Sequence, residues 1–238
     1  MILSTEPSYP DISAPRPEDS EIFMSRGEVE ALCMKAARGA GMEWGLAEEA
    51  GFSVGWLWAH GVDGTQTLLD HLLTLQTSSG QNQSLMVMKG SWQGQEEAKL
   101  CPIFLGAALG DYLGLPEGLV MSGRLMVGPV SQPLLLLPFL ASIAKRLNRS
   151  VHLAGQGAYV TTTPPGGMVY FAIEQVSEQN MFEISLIDSE FHDIFAVKQM
   201  AVKNTILSRL NDFALKTTVA VSDQSRADAG AGAEENDE

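Results

Sequence analysis

Residues 119–155 read LVMSGRLMVGPVSQPLLLLPFLASIAKRLNRSVHLAG. The apolar run 119–127 predicts one strand, bulged at Gly123. Gly128-Pro129-Val130-Ser131 is a turn, with Ser131 as an N-cap and Pro133 in the first turn of a helix running to about 147. Residues 150–154 predict the next strand. Strand, short turn, helix, strand is the pattern of a βαβ unit with parallel strands. The fold class is therefore α/β (or α+β), with a mixed sheet containing one βαβ unit. The turn lies where a strand ends and a helix begins, the place where such sheets bind small anions, so Ser131 is a candidate ligand. Every βαβ unit has a turn of this kind, and a plain connection is the bland alternative.

Upstream, residues 25–76 predict a helical layer. Ser25 and Glu28 form an S-x-x-E capping box. Val29, Leu32, Cys33, Ala36, Ala37 and Ala40 follow at helical spacing, giving a helix over 26–38 that stops at Gly39 and Gly41. A second helix is predicted over 43–59. Its Ala47, Gly51 and Gly55 make a stripe of small residues, and each helical glycine costs about 1 kcal/mol relative to alanine. Close approach of another backbone is the expected reason, with the alanine face of the first helix as partner. Trp44, Glu48 and Phe52 lie on one line of the second helix. A carboxylate between two aromatic rings would have a raised pKa, so Glu48 and its neighbour Glu49 are candidate acid/base groups and Trp44 a candidate wall. A solvated acidic face near the helix start explains the same residues. His60-Gly-Val-Asp63-Gly64 is a turn, in which His60 and Asp63 are candidate ligands or, for His60, a C-cap. A third helix spans 65–76, with its buried stripe on Leu68, Leu69, Leu72, Leu73 and Gln76. His71 lies beside that stripe as a packed or surface residue.

The remainder predicts a mixed sheet with helices over 84–200 and a closing helix over 201–215. Residues 85–89 are a short strand. Residues 101–110 are ambiguous between strand and helix. Residues 168–173 and 181–187 predict two strands of a hairpin. The Gly/Pro/Thr loop 155–167 lacks the G-K-[ST] of a P-loop. Asp188 or Ser189 as a helix N-cap explains the acid/histidine run that ends at His192 and Asp193. Residues 1–24 read as a flexible leader, 25–221 as one globular domain, and 222–238 as a Ser/Arg/Gly-rich acidic tail.

Ala36-Ala37-Arg38-Gly39-Ala40-Gly41, Trp44-Gly45-Leu46-Ala47-Glu48-Glu49-Ala50-Gly51, Trp56-Leu57 and Gly61-x-Asp63-Gly64 together resemble a bacterial family catalogued as a domain of unknown function, number 3726. In the tail, Ser222-x-x-Ser225-Arg226, Gly230-Ala231-Gly232 and Asn236-Asp237 are similar to that family's second shared motif. The middle of the chain matches loosely. The resemblance implies a shared fold and a shared site, and it carries no activity, substrate or cofactor. If the tail is ordered, Gly230 and Gly232 could present backbone N–H groups to an anion, Arg226 could pair it, and Ser222, Ser225 and Asp237 could add polar groups. Glu234, Glu235 and Glu238 depart from the pattern and oppose an anion there.

The chain has 238 residues, long enough to bury a core without a disulfide or metal. Its net charge is −14. Much of that sits in the leader and tail, leaving a mildly acidic body without a basic patch, which argues against nucleic acid and anionic membrane partners. Leu134 to Ala144, the richest apolar run, is too short to span a bilayer. Cys33 and Cys101 have neither metal-ligand nor C-x-x-C spacing, as expected of a reduced cytoplasmic protein. H-E-x-x-H, G-x-S-x-G and G-x-G-x-x-G are all missing, so metal hydrolase, Ser-His-Asp hydrolase and Rossmann dehydrogenase readings lack their motifs; no metal site is expected, and the cofactor is unknown. Two functions stay open. One is a small-molecule enzyme or binding protein for a carboxylate or phosphate metabolite, its site where the Trp44–Glu49 segment meets the tail. The other is a non-catalytic accessory or assembly protein, possible as a homo-oligomer.

Overall fold

A computed structural model describes residues 20–77, 84–95, 98–155, 158–163, 167–171, 181–188 and 198–217. Its first element is the strand β1 (Glu21–Ser25), followed by helices α1 (Arg26–Gly39), α2 (Trp44–Ala59) and α3 (Thr65–Thr77). Then come β2 (Leu85–Met88), β3 (Ser91–Gly94), α4 (Pro102–Asp111), the single turn α5 (Leu119–Ser122) and β4 (Arg124–Val127). A 3-10 turn (Pro133–Leu136) leads into α6 (Leu137–Leu147). β5 (Ser150–Gly155), β6 (Ala158–Thr163), β7 (Gly167–Phe171), β8 (Phe182–Ile187), β9 (Gln199–Lys203) and α7 (Asn204–Leu215) complete it.

The helical layer follows the sequence closely because its signals are local. The Ser25 N–H donates to the Glu28 carboxylate at 2.7 Å and the Glu28 N–H donates to Ser25 Oγ at 3.4 Å, closing the capping box. The small-residue stripe of α2 packs on α1. A Cβ at Gly51 would come within 2.7 Å of the Glu30 carbonyl oxygen and 2.9 Å of Met34 Cβ, and one at Gly55 would meet the Glu30 side chain. The contact line on α1 is thus Glu30 and Met34, one turn before the predicted alanine face; Ala36 and Ala37 are buried nonetheless. α7 packs against the end of α1, where Gly39 lies directly under the Phe213 carbonyl.

Seven strands form one mixed sheet in the order β2-β3-β4-β8-β5-β6-β7, and β1 pairs with β9 in a separate ribbon. β4 and β5 are each antiparallel to β8, so they are parallel to one another, joined by α6 as a βαβ unit with β8 in the gap. α6 lies on β5 and β6, α2 lies on α4 and α6, and α1 covers α2.

Several local expectations give way. The 119–127 run is a helical turn and then a strand, because Gly123 takes a left-handed φ of 67° and breaks the run. Residues 101–110 resolve as helix: Pro102 sits at its first position, and ten residues exceed a typical buried strand. Ser131 is not an N-cap; Gln132, at a φ of 49°, precedes the 3-10 turn without a side-chain cap. β7 and β8 form no hairpin with each other, since β7 pairs with β6 while β8 enters the gap between β4 and β5. Residues 201–203 belong to β9, so the closing helix starts at Asn204. Residues 21–24 of the expected leader are strand, held by Ile22 opposite Val202 and Met24 opposite Met200.

Candidate functional site

The Trp44–Glu48–Phe52 line does not enclose Glu48. Glu48 is exposed, and Trp44 is 56% exposed with the Arg38 guanidinium 5.2 Å from its ring centre. Ala47 and Gly51 take the buried face of α2, which leaves the adjacent Glu48 line pointing outward at its start. Glu49 is the carboxyl that turns in. It lines a cavity of about 260 Å³ between α2, α4 and α6, together with Phe52, Gly106, Asp111, Phe139 and Arg146. Phe52 and Phe139 meet edge to face, with ring centres 6.2 Å apart. Burial pushes the Glu49 carboxyl up, and the charges of Asp111 and then Glu48 push the same way. Arg146 Nη1 donates to the Gly110 carbonyl at 3.0 Å, which holds the guanidinium at the cavity rim. Asp111 and Arg146 carried no motif in the sequence; only the packing of α4 on α6 brings them to Glu49.

His60 and Asp63 serve the turn between α2 and α3. His60 is the C-cap of α2: its ring stacks on Trp56 at 3.9 Å, and Nδ1 lies 2.8 Å from the Trp56 carbonyl. Asp63 Oδ1 accepts from the Thr65 N–H at 2.8 Å and from its hydroxyl at 2.6 Å, fixing the start of α3. Ser222, Ser225, Arg226, Gly230, Gly232 and Asp237 lie outside the described residues, as do Ser189, His192 and Asp193. Asp188 accepts from Arg149 Nε at 3.1 Å.

A second cluster was not singled out by the sequence. His71 is 1% exposed; its Nδ1 lies 3.2 Å from Ser131 Oγ and its Nε2 3.3 Å from Cys101 Sγ. Burial pushes the imidazole down to about 4 and the Cys101 thiol up to about 11, the latter opposed by the amides of Phe104 and Ile103. Both groups are therefore neutral near neutral pH. The usable sequence signal was Cys101-Pro102, which puts a thiol at the start of a helix.

Residues 24–103 match the family described as Protein of unknown function (DUF3726). The DUF3726 match carries α1, α2, α3, β2, β3 and the first residues of α4, and so includes Glu48, Glu49, His71 and Cys101. Asp111, Ser131, Arg146 and the tail motif fall beyond it. No curated protein matches the chain. Among the described residues, no helix is long and apolar enough to cross a membrane.

Proposed function

We propose that this protein binds a small anionic metabolite, a carboxylate or phosphate, in the cavity between α2, α4 and α6, and that Glu49 exchanges a proton with it. The supporting observation is a carboxyl with a raised pKa sharing a small, partly aromatic cavity with an arginine. Arg146 offers the forked donors that suit a carboxylate or phosphate. Asp111 and an ionised Glu49 would repel an incoming anion, so binding favours the protonated Glu49. The ligand thereby meets an acid that is ready to donate. Two free, buried thiols, Cys33 and Cys101, support a reducing, cytoplasmic setting for this chemistry.

A thermal-shift screen of small carboxylates and phosphorylated metabolites tests the reading. A ligand at about 100 times its Kd should add about 2.7 kcal/mol and raise the Tm, and Arg146→Ala should abolish that rise. An equal rise in the variant, or none from any compound, rejects this site.

One observation favours assembly as a second role. An apolar groove of about 620 Å³ runs between β1, α1 and α7, flanked by Phe23 at 70% and Leu215 at 65% exposure. Self-association through this groove predicts a dimer mass in solution that Phe23→Ser reduces to the monomer. A monomer at every concentration of the unaltered protein removes it.

A further inference from the structure

Cys101, His71 and Ser131 come from three segments that the fold brings together. Leu100 and Val130 form a parallel bridge. The Leu100 N–H donates to the Pro129 carbonyl at 2.8 Å, and the Ser131 N–H donates to the Leu100 carbonyl at 2.9 Å. Cys101 and Ser131 therefore stand side by side where two parallel extended segments end. Each is followed by a helix, α4 at Pro102 and the 3-10 turn at Pro133. The carboxyl ends of parallel strands are where α/β sheets place reacting groups. α3 sets His71 against both. Among the buried polar residues described, His71 is the one ionisable base.

A neutral ring and a neutral thiol allow two arrangements, and the one competent for base catalysis has S–H donating to Nε2. The neutral ring then carries its proton on Nδ1 and donates it to Ser131 Oγ. This is the tautomer that a base needs, with a free lone pair aimed at the nucleophile and the far nitrogen anchored. α4 adds its N-terminal amides, whose dipole favours negative charge developing on sulfur.

We infer that Cys101 is a nucleophile for acyl transfer from a small activated ester or thioester, with His71 as its base and Ser131 as the positioning residue for the imidazole. Sγ attacks the acyl carbon, the S–C bond forms, and the S–H proton passes to Nε2. Collapse of the adduct breaks the bond to the leaving alcohol or thiol, which takes the proton from Nε2. Water then attacks the acyl-Cys101 thioester, giving its proton to Nε2, and the departing thiolate recovers it, releasing a carboxylic acid. Cys101 is only 6% exposed and Ser131 is half-buried, which restricts the reaction to short acyl groups. The site is separate from the Glu49 cavity: Cys101, His71 and Ser131 are not among that cavity's lining residues, and its nearest lining residue on α4, Gly106, is about 7.5 Å further along the helix axis.

The probe is p-nitrophenyl acetate with the full-length protein, read by p-nitrophenolate release and by mass mapping of both cysteines. The expected result is a burst with one acetyl group on Cys101 and none on Cys33, which lies wholly inside the α1 face at 0% exposure and serves as the internal control. Cys101→Ala should lose the burst, and His71→Gln should slow it by at least about a hundredfold. Ser131→Ala keeps both reacting groups. It should lower the plateau rate and move the acid limb of the pH profile to lower pH, because the imidazolium loses its acceptor. No burst, acetylation elsewhere, or a burst surviving in Cys101→Ala overturns the inference. If His71→Gln does not fold, Ser131→Ala decides, and an unchanged pH profile in that variant is equally fatal.

Discussion

Gly39→Ala should lose about 3 kcal/mol of stability in urea unfolding, the upper end of what overpacking costs. The added methyl would occupy the space of the Phe213 carbonyl, which is backbone and cannot rotate away. α7 would have to move off α1 as a unit, and Phe213, Leu210 and Leu207, all buried, would lose their packing with it. Gly45→Ala is the control. Nothing lies within 4 Å of a Cβ built there, and the site is helical. It should gain up to about 1 kcal/mol through helix propensity. A Gly39→Ala protein as stable as the parent would mean that α7 does not seat on the end of α1.

Lowering the pH from about 7 to about 4 should remove about 3 kcal/mol of stability through His71 alone. Burial holds this ring near 4, against an ordinary 6.5. The unfolded chain therefore takes up the proton first as the pH falls, and between the two values it binds more protons than the folded chain. Stability from the neutral ring is complete above 6.5 and declines steadily toward 4. Glu49 acts in the opposite sense, because its raised pKa favours the folded state on acidification. The informative quantity is thus the difference between parent and His71→Gln unfolding curves measured across this range. Parallel curves would show that the ring is not held neutral by its surroundings.

What the sequence revealed divides by the distance over which each signal acts. Ser25 and Glu28 are three residues apart, and their box was readable because both partners share one turn. Gly51 and Gly55 announce a close approach for the same reason, although the residues they meet, Glu30 and Met34, precede the alanine face that the spacing predicts. The βαβ pattern came through as parallel β4 and β5. The strand between them did not, because β8 arrives from far along the chain and nothing local to β5 reserves a place for it. Helical period put Glu48 among aromatics, yet the choice between Glu48 and Glu49 depends on which face of α2 meets α4 and α6. His71, Cys101 and Ser131 are each about thirty residues from the next, and no spacing rule joins them.

The position of β8 also orders events during synthesis. A chain still on the ribosome and shorter than residue 182 has made β4, α6 and β5 but lacks the strand that hydrogen-bonds both. Its two central strands then face an empty lane, with backbone donors and acceptors open to any passing extended peptide. The nascent chain is therefore expected to associate most readily just before this lane fills, and expression yield should respond most to whatever shields it in that interval.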